Sequence, residues 1–257
     1  MKITVLNENT SKKGLNCEHG LSLYIQTGET EILFDTGQSD IFLKNAQLSG
    51  IDLSKTDVCI LSHGHYDHGG GLPHFLKINH TAPIYIPQNA FGAFYNASGK
   101  YIGIRKDWIR HPQVILTSDV VRLAQNIQLI SAQTFYKKYD INTYGLSVMK
   151  GDRMIPDDFS HEQFLLIKEN GKEYLFSGCS HNGICNITDW FHPDFYIGGF
   201  HLSKLPAGEL LKQYALFLKS CHTRFFTCHC TGREQYLYLK KYLPHLEYIS
   251  TGDIIEI

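Results

Sequence analysis

The chain has 257 residues, of which 43% are hydrophobic and 12% aromatic, and its formal net charge is −1. This composition excludes a disordered or fibrous protein, because such chains lack the apolar residues that build a core. The near-neutral charge argues against a general nucleic-acid binder, and no apolar run reaches the ~18 residues of a membrane-spanning helix, so we expect neither a nucleic acid nor a membrane as a partner.

Strands and helices are both predicted along the first half of the chain. Alternating and all-apolar runs predict strands at residues 2–6, 21–27, 31–35, 58–61 and 83–86. The run at 58–61 has no polar side chain, which is typical of a buried central strand. Apolar residues at helical spacing predict helices at 41–48 and 72–78, whereas residues 88–126 are ambiguous.

The second half repeats this mixture of elements. Strands are predicted at residues 127–131, 163–168, 174–177, 195–197, 224–227, 246–250 and 254–257, and helices at 210–218 and 234–242. Several strands followed by a helix in each half are typical of two sheets that pack face to face and carry helices on their outer faces. The pattern alone does not distinguish this sandwich from a doubly wound single sheet.

Histidine and cysteine are prominent in the composition, with 14 and seven residues. An odd number of cysteines and the absence of a leading signal segment predict a cytoplasmic protein with reduced thiols. The sequence does not indicate an oligomeric state. The spacing of the histidines decides whether they are candidates for metal binding.

Four candidate metal ligands lie within six residues, directly after the buried strand at 58–61. They are His63, His65, Asp67 and His68. Side chains alternate along a strand, so His63 and His65 project to the same side, and two imidazoles suit a borderline ion such as zinc. Asp67 and His68 point from the next turn, which indicates a second ion a few ångströms away. The alternative is a loop of four hydrogen-bonded polar residues.

Three further histidines follow predicted strands and stand near a glycine. His181 lies in the run Gly-Cys-Ser-His-Asn-Gly, His201 in Gly-Gly-Phe-His-Leu and His229 in Cys-His-Cys-Thr-Gly. Loops at strand ends hold functional groups on a rigid scaffold, so we expect His181 and His229 as metal ligands and weigh His201 as a further candidate. The alternative for each is a hydrogen-bonded structural histidine.

The motif at 63–68, preceded by Phe34-Asp35-Thr36-Gly37, resembles the metallo-β-lactamase superfamily. The runs at 178–184, 199–202 and 229–232 resemble its branch related to 7,8-dihydropterin-6-yl-methyl-aminobenzene ribofuranosyl 5′-phosphate synthase. The resemblance implies an α+β fold, an αββα sandwich of metallo-β-lactamase type, as a single domain over residues 1–257. It also implies two divalent metal ions, with Zn²⁺ as the expected metal and Mn²⁺ or Fe²⁺ as alternatives.

The resemblance further implies a role for each candidate ligand. The first ion would be bound by His63, His65 and His181, and the second by Asp67, His68 and His229. Asp35 would order the histidine loop from behind.

The chain departs from the pattern of the superfamily at one position. Many superfamily hydrolases carry a bridging aspartate where this chain has Cys179, and His161 lies in the region of another family histidine. Cys179 either contacts a metal as a thiolate or is a packed thiol. Whether Cys179 or His161 is a ligand therefore stays open from the sequence.

These features predict a dinuclear metal-dependent hydrolase. A metal-bound hydroxide would attack a small anionic substrate, with a phosphoester or phosphodiester as the expected class. Asp67 would orient the water and accept its proton, and His201 would donate a proton to the leaving group. The alternatives are a transferase that condenses a pterin with an aminobenzene phosphate, as the branch name suggests, and a non-catalytic metal-binding module.

Residues 88–157 are predicted to form a substrate-specificity insertion. They carry many aromatic side chains with interleaved basic residues such as Arg105 and Arg110. Such a surface suits a flat anionic ligand through stacking and charge pairing. The alternative is a solvated lid whose aromatic side chains pack on the core.

Overall fold

A computed structural model of the chain describes residues 1–12, 14–28 and 30–257. In chain order, the strands of this part are β1 (Lys2–Asn7), β2 (Ser22–Thr27), β3 (Thr30–Phe34), β4 (Val58–Ile60), β5 (Ile84–Pro87), β6 (Ala93–Tyr95), β7 (Val114–Thr117), β8 (Val120–Ala124), β9 (Ile127–Ser131), β10 (Ser147–Lys150), β11 (Arg153–Pro156), β12 (Gln163–Glu169), β13 (Lys172–Ser177), β14 (Phe195–Gly198), β15 (Arg224–Thr227), β16 (Glu247–Tyr248) and β17 (Ile254–Glu256). The α-helices are α1 (Ile41–Leu48), α2 (Tyr66–Gly69), α3 (Leu72–Phe75), α4 (Ile184–Phe191), α5 (Glu209–Ser220) and α6 (Arg233–Lys240).

The strands form two large sheets and one small one. The first sheet has the order β17-β1-β2-β3-β4-β5-β7, and it changes from antiparallel to parallel pairing at β3. The second has the order β16-β15-β14-β13-β12-β9-β8, in which β13 to β16 run parallel. The small sheet has the order β11-β10-β6.

The two large sheets pack face to face through the alternate apolar residues of their strands. Ile3 and Phe34 of the first sheet belong to the same buried cluster as Leu165 and Phe176 of the second. Burial of each such side chain stabilises the fold by roughly 1.5–3 kcal/mol. A single continuous core between two sheets excludes the doubly wound single sheet that the sequence left open.

Helices cover the outer faces of both sheets. Phe42 of α1 packs on the first sheet, and Ile187 of α4, Leu211 of α5 and Leu239 of α6 pack on the second. The layers are therefore helix, sheet, sheet and helix, which confirms the predicted α+β fold, an αββα sandwich.

Helix α4 was absent from the predicted elements, because no helix is predicted between residues 178 and 194. The helix has only eight residues and contains Asn, Thr and Asp, which favour helix interiors weakly. Its buried Ile184 and Ile187 are too few to establish a periodicity. It ends at Phe191, and the next residue, His192, adopts a left-handed backbone conformation with φ 44°.

Residues 88–157 contribute strands to all three sheets. Strand β7 lies at the edge of the first sheet, β8 and β9 lie at the edge of the second, and only β6, β10 and β11 lie outside both. The role of this range in substrate specificity stays a prediction.

The longest described helix, α5, has 12 residues, and no helix of the described ranges is long and apolar enough to cross a membrane.

Candidate metal centre

The sheet topology places the candidate ligands at one edge of the sandwich. Strands β13, β14 and β15 are parallel and in register, so that Ser177, Gly198 and Thr227 are neighbours at their carboxyl ends. The loops that follow carry His181, His201 and His229. Backbone hydrogen bonds tie these loops together, including Gly199 N–H to the Gly178 oxygen at 3.0 Å. This arrangement explains why three histidines far apart in the sequence lie together.

The first group of donor atoms contains His63, Cys179 and His181, whose ligand atoms all lie within 4.8 Å of one another. The Nε2 atoms of His63 and His181 are 3.3 Å apart. The ring of His65 stands beside both, with centroid distances of 4.7 Å to His63 and 4.9 Å to His181. The structure thus brings together the three histidines that the resemblance assigned to the first ion.

The second group contains Asp67, His68 and His229, again with Cys179 beside them. The Nε2 atoms of His68 and His229 are 3.3 Å apart, and Oδ2 of Asp67 lies 3.3 Å from Nε2 of His229. Cys179 Sγ lies 3.2 Å from Nε2 of His68. Cys179 therefore stands between the two groups, which is the position of a bridging ligand, and this placement addresses the alternative that the sequence left open.

Asp35 fixes the orientation of two histidines, one in each group. Its Oδ2 accepts hydrogen bonds from Ser62 Oγ and from Nδ1 of His68, both at 2.7 Å. Because the Ser62 proton is used in this way, the hydroxyl oxygen accepts from Nδ1 of His63 at 2.8 Å. Nε2 of both imidazoles is then left to face the centre, which is how histidine ligands are oriented in metal sites.

Residues of the loop after β1 orient His229 in the same way. Asn9 Oδ1 lies 2.8 Å from Nδ1 of His229, and the buried Glu8 accepts the backbone N–H of His229 at 2.7 Å. The loop also carries the exposed His19, whose Nε2 lies 3.2 Å from Oδ2 of Asp67. None of these three residues is predicted from the sequence, because each stands alone in a loop without a local motif.

Glu162 holds the loop that carries His181. Its two carboxylate oxygens accept the backbone N–H groups of His181 and Asn182 at 2.8 and 3.0 Å, and the Asn182 side chain donates at 2.7 Å. Burial raises the pKa of the Glu162 carboxyl, although these hydrogen bonds oppose the shift. Glu162 is not predicted from the sequence either.

His161 lies behind the first group and does not face it. Its Nδ1 accepts the backbone N–H of Gly64 at 3.1 Å, and its Nε2 lies 3.1 Å from Oδ2 of Asp157. Both ring nitrogens are therefore occupied, and His161 supports the motif loop between His63 and His65. The same carboxylate oxygen lies 4.0 Å from Nε2 of His65.

The protonation states at the centre suit cation binding. Burial, together with the neighbouring histidines, lowers the pKa of His63 and His181 well below the usual value and that of His65 to about 3. Burial opposes ionisation of Asp67, but His68, His19 and His229 outweigh it and hold the Asp67 pKa well below its usual range. Neutral imidazoles beside an ionised carboxylate are the forms that bind divalent metals.

His68 differs from the other histidines of the centre. Burial lowers its pKa, but Asp35 and Asp67 outweigh this effect and raise the pKa to about 9. Binding of a cation by Nε2 of His68 would therefore be coupled to the release of a proton.

Two further observations test whether these residues fit a metal. The buried Nε2 of His65 has no hydrogen-bond partner in the described ranges, and an unpaired buried polar atom is costly without a ligand. Ser180, His201 and His229 adopt left-handed backbone conformations, with φ of 59°, 53° and 48°. Such strain costs of order 1–3 kcal/mol per residue and concentrates at functional sites. The donor set of imidazole, carboxylate and thiolate fits zinc or a similar cation.

The centre opens into a cleft of about 210 Å³. His201, Asp67 and Cys230 border it together with Lys204, whose Nζ donates a hydrogen bond to the Tyr144 backbone oxygen at 3.3 Å. Lys204 is the lysine among the described residues that border the cleft. None of the arginines and lysines of residues 88–157 borders it. Arg105, one of the basic residues predicted to bind an anion, pairs instead with Asp107 through its guanidinium.

Comparison with known proteins identifies the fold and the motif together. Residues 15–129 match the profile of the Metallo-beta-lactamase superfamily. The whole chain superposes on the crystal structure of Tm1679, described as a metal-dependent hydrolase of the beta-lactamase superfamily, with a TM-score of 0.86, 27% identity and coverage of 100% of this chain and 99% of that one. The chain is therefore similar to the metallo-β-lactamase superfamily over residues 15–129, and it shares the fold of one of its members along its whole length. The fold of this superfamily implies divalent metal binding and is mostly that of metal-dependent hydrolases.

Two relatives of this chain come from Methanocaldococcus jannaschii. One is an uncharacterized protein that is 27% identical over 99% of this chain and 100% of its own length. The other is named 7,8-dihydropterin-6-methyl-4-(beta-D-ribofuranosyl)-aminobenzene-5′-phosphate synthase and is 27% identical over 93% of this chain and 90% of its own length. The second relative supports the resemblance to the synthase-related branch.

Proposed function

We propose that the protein is a dinuclear metal-dependent hydrolase of small anionic substrates, with phosphoesters or phosphodiesters as the substrate class. The observation that carries the proposal is the pair of donor groups on either side of Cys179, which lies 3.2 Å from Nε2 of His68 and within 4.8 Å of the ligand atoms of His63 and His181. One shared donor between two histidine groups fits two cations a few ångströms apart.

The proposed ligands follow from the geometry of the two groups. His63, His65 and His181 would hold the first cation, Asp67, His68 and His229 the second, and Cys179 would contact both. When bound, zinc or a similar ion supplies Lewis acidity, which lowers the pKa of water and neutralises developing negative charge. Mn²⁺ and Fe²⁺ are the alternative metals, although the cysteine favours the softer zinc.

The residues around the centre have distinct roles in this proposal. Asp67 is ionised and borders the cleft, so that its Oδ2 can orient a water and accept a proton. His201 also borders the cleft, and neither of its ring nitrogens has a hydrogen-bond partner in the described ranges. We therefore keep His201 as the group that donates a proton to the leaving group.

An anionic substrate is favoured by the charge around the cleft. Lys204 is exposed at the cleft and places an ammonium group on the side of His201. A phosphate oxygen that faces this ammonium would gain a charge-assisted hydrogen bond. The superfamily hydrolase Tm1679, at 27% identity over the whole chain, supports hydrolysis as the reaction class.

One observation favours a second candidate function. The relative from M. jannaschii that is named as a synthase covers 93% of this chain, so a transferase that joins a pterin to an aminobenzene phosphate is the alternative. Both reactions would place a phosphate-bearing substrate in the same cleft. They differ in whether water is a reactant.

A reconstituted activity panel tests the proposal. The chain is loaded with Zn²⁺, Mn²⁺ or Fe²⁺ and assayed in ¹⁸O-labelled water on phosphomonoesters, phosphodiesters, lactones, thioesters and pterin phosphates. Hydrolysis of a phosphate ester with ¹⁸O in the product, lost in His229→Ala and kept in the exposed control His222→Ala, supports the proposal. Turnover of a pterin phosphate without ¹⁸O supports the transferase. No phosphoester turnover with any metal contradicts the hydrolase.

A further inference from the structure

A third group of donor atoms lies beside the two groups of the proposed dinuclear centre. It contains Cys179, His201 and Cys230, whose ligand atoms all lie within 4.8 Å of one another. The loops after β13, β14 and β15 each supply one member of this group. Cys230 and His201 are not among the ligands proposed above for the two cations, so the group goes beyond the proposed dinuclear centre.

His201 points to a ligand at this position. Both of its ring nitrogens are buried and lack a hydrogen-bond partner in the described ranges, and such a group destabilises a fold by about 1–3 kcal/mol unless a ligand or water satisfies it. Its backbone is left-handed, with φ 53°, as at the proposed ligand His229.

The surroundings of Cys230 suit a sulfur ligand. The backbone N–H of His201 donates to Cys230 Sγ at 3.3 Å, which stabilises negative charge on the sulfur. In the metal-free chain the thiol donates its proton to the Cys179 backbone oxygen at 3.3 Å. Gly199 makes room for this sulfur, because a Cβ atom at that position would clash with Cys230 Sγ.

The group is reachable from solvent. Cys179, His201 and Cys230 all border the same cleft as the proposed dinuclear centre. Cys179 and Cys230 are 3% and 8% exposed, so a cation that enters the cleft would lose most of its water to these donors. Two sulfurs and an imidazole select soft and borderline cations such as Zn²⁺, Co²⁺ or Cd²⁺ over Mg²⁺ or Ca²⁺.

We propose that Cys179, His201 and Cys230 form a thiolate-rich cation site beside the two groups of the proposed dinuclear centre, with Cys179 shared among all three. A cation at this site has two sulfur ligands, whereas a cation in either of the other groups has one. His201 would use one ring nitrogen here, and the neutral imidazole would then have no acidic proton for the transfer proposed above, so the two roles exclude each other while the site is filled. The site does not depend on the hydrolase reaction.

Cobalt absorption spectroscopy tests this proposal without an activity assay. The experiment uses the full chain in a Cys17→Ser background, because Cys17 is exposed and would bind cobalt nonspecifically. Co²⁺ is added to saturation, and the ultraviolet sulfur-to-cobalt charge-transfer absorbance, which grows with the number of bound thiolates, is measured. We expect Cys230→Ala to lower this absorbance to about half and the double variant Cys179→Ala/Cys230→Ala to abolish it.

Two further variants make the test independent of a folding defect in Cys230→Ala. His201→Gln keeps both cysteines and should weaken cobalt binding, read from the same absorbance, by tenfold or more, since even residues behind a ligand contribute about 10–100-fold to metal affinity. Cys185→Ala removes a buried cysteine of α4 that belongs to none of the donor groups and should leave the spectrum unchanged. The proposal is overturned if Cys230→Ala and His201→Gln both keep the full parent absorbance and cobalt affinity, or if the parent shows no charge-transfer band.

Discussion

Oδ2 of Asp35 lies 2.7 Å from Nδ1 of His68, and both side chains are fully buried. The same oxygen accepts the Ser62 hydroxyl, which in turn accepts from Nδ1 of His63. One carboxylate therefore fixes the orientation of a proposed ligand in each donor group. Its own backbone is left-handed, with φ 59°, so the turn after β3 is strained to hold it there.

We expect Asp35→Asn to weaken metal binding without removing any ligand. The amide of the substituted side chain would direct N–H groups at Ser62 and His68, which now donate hydrogen bonds to the carboxylate. The tautomers of His63 and His68 would then no longer be fixed. Loss of a partner behind a histidine ligand typically costs about 10–100-fold in metal affinity. Competition with a zinc chelator measures the change, and the exposed Asp152→Asn serves as control. Unchanged zinc affinity would contradict this role of Asp35.

Glu162→Gln is expected to disturb the loop that carries His181. The carboxylate accepts three N–H groups, whereas a glutamine has one oxygen, so at least one buried N–H would lose its acceptor. Such a loss costs about 1–3 kcal/mol. We therefore expect a lower free energy of unfolding in urea and weaker zinc binding. Glu173→Gln, which removes a half-exposed partner of Lys168, should leave the zinc affinity unchanged; an equal loss in both variants would argue against a specific role.

The metal motif and the fold were accessible from the sequence, whereas the supports of the site were not. His63, His65, Asp67 and His68 stand within six residues, so local spacing was enough to predict their chemistry. Glu8, in contrast, contacts the backbone of His229 from 221 positions away. This contact forms only when the loop after β1 meets the loop after β15 in the folded chain. No sequence pattern around Glu8 predicts it.

Cys179 and His161, the two candidate ligands that the sequence left open, have different surroundings in the structure. The sequence left open whether Cys179, at the position of a bridging aspartate in many superfamily hydrolases, or His161, in the region of another family histidine, is a ligand. In the structure, Cys179 points between the donor groups, whereas both nitrogens of His161 are used by Gly64 and Asp157. Side-chain direction at a strand end depends on the turn that follows, and Ser180, with φ 59°, makes a turn that residue propensities do not predict.

Asp157 gives the fold a dependence on pH. Burial opposes its ionisation, but the hydrogen bond from His161 outweighs this effect and lowers the pKa of Asp157. A depressed pKa means that its stabilisation is present above the unfolded value of about 3.9 and is lost as the pH falls through the folded pKa. We expect Asp157→Asn to lower the free energy of unfolding at pH 7 and the difference from the parent to shrink below about pH 4. Urea titrations at both pH values measure it, and a difference that stays constant would exclude Asp157 as the source.

Removal of bound metal is expected to destabilise the folded chain. The imidazoles of both groups converge only after folding, so a cation binds the native state and not the unfolded one. At a free zinc concentration 100 times the dissociation constant, this linkage stabilises the fold by about 2.7 kcal/mol. Calorimetry should show a higher Tm with zinc than with a chelator in the parent and in His222→Ala, and a smaller shift in His65→Ala. A Tm that does not respond to zinc would contradict the proposed metal centre.

Substitution of Lys204 tests the recognition of substrate charge separately from metal binding and catalysis. Its ammonium borders the cleft but contacts none of the proposed metal ligands; its hydrogen bond goes to the Tyr144 backbone oxygen. We expect Lys204→Met to raise KM for an anionic phosphoester about tenfold, the effect of losing one charge-assisted hydrogen bond, with kcat and zinc affinity nearly unchanged. Lys150→Met, which removes the partner of Asp158 outside the cleft, is the matched control. An equal KM for Lys204→Met and the parent would show that the substrate anion is recognised elsewhere, whereas a fall in kcat alone would place Lys204 in the chemical step.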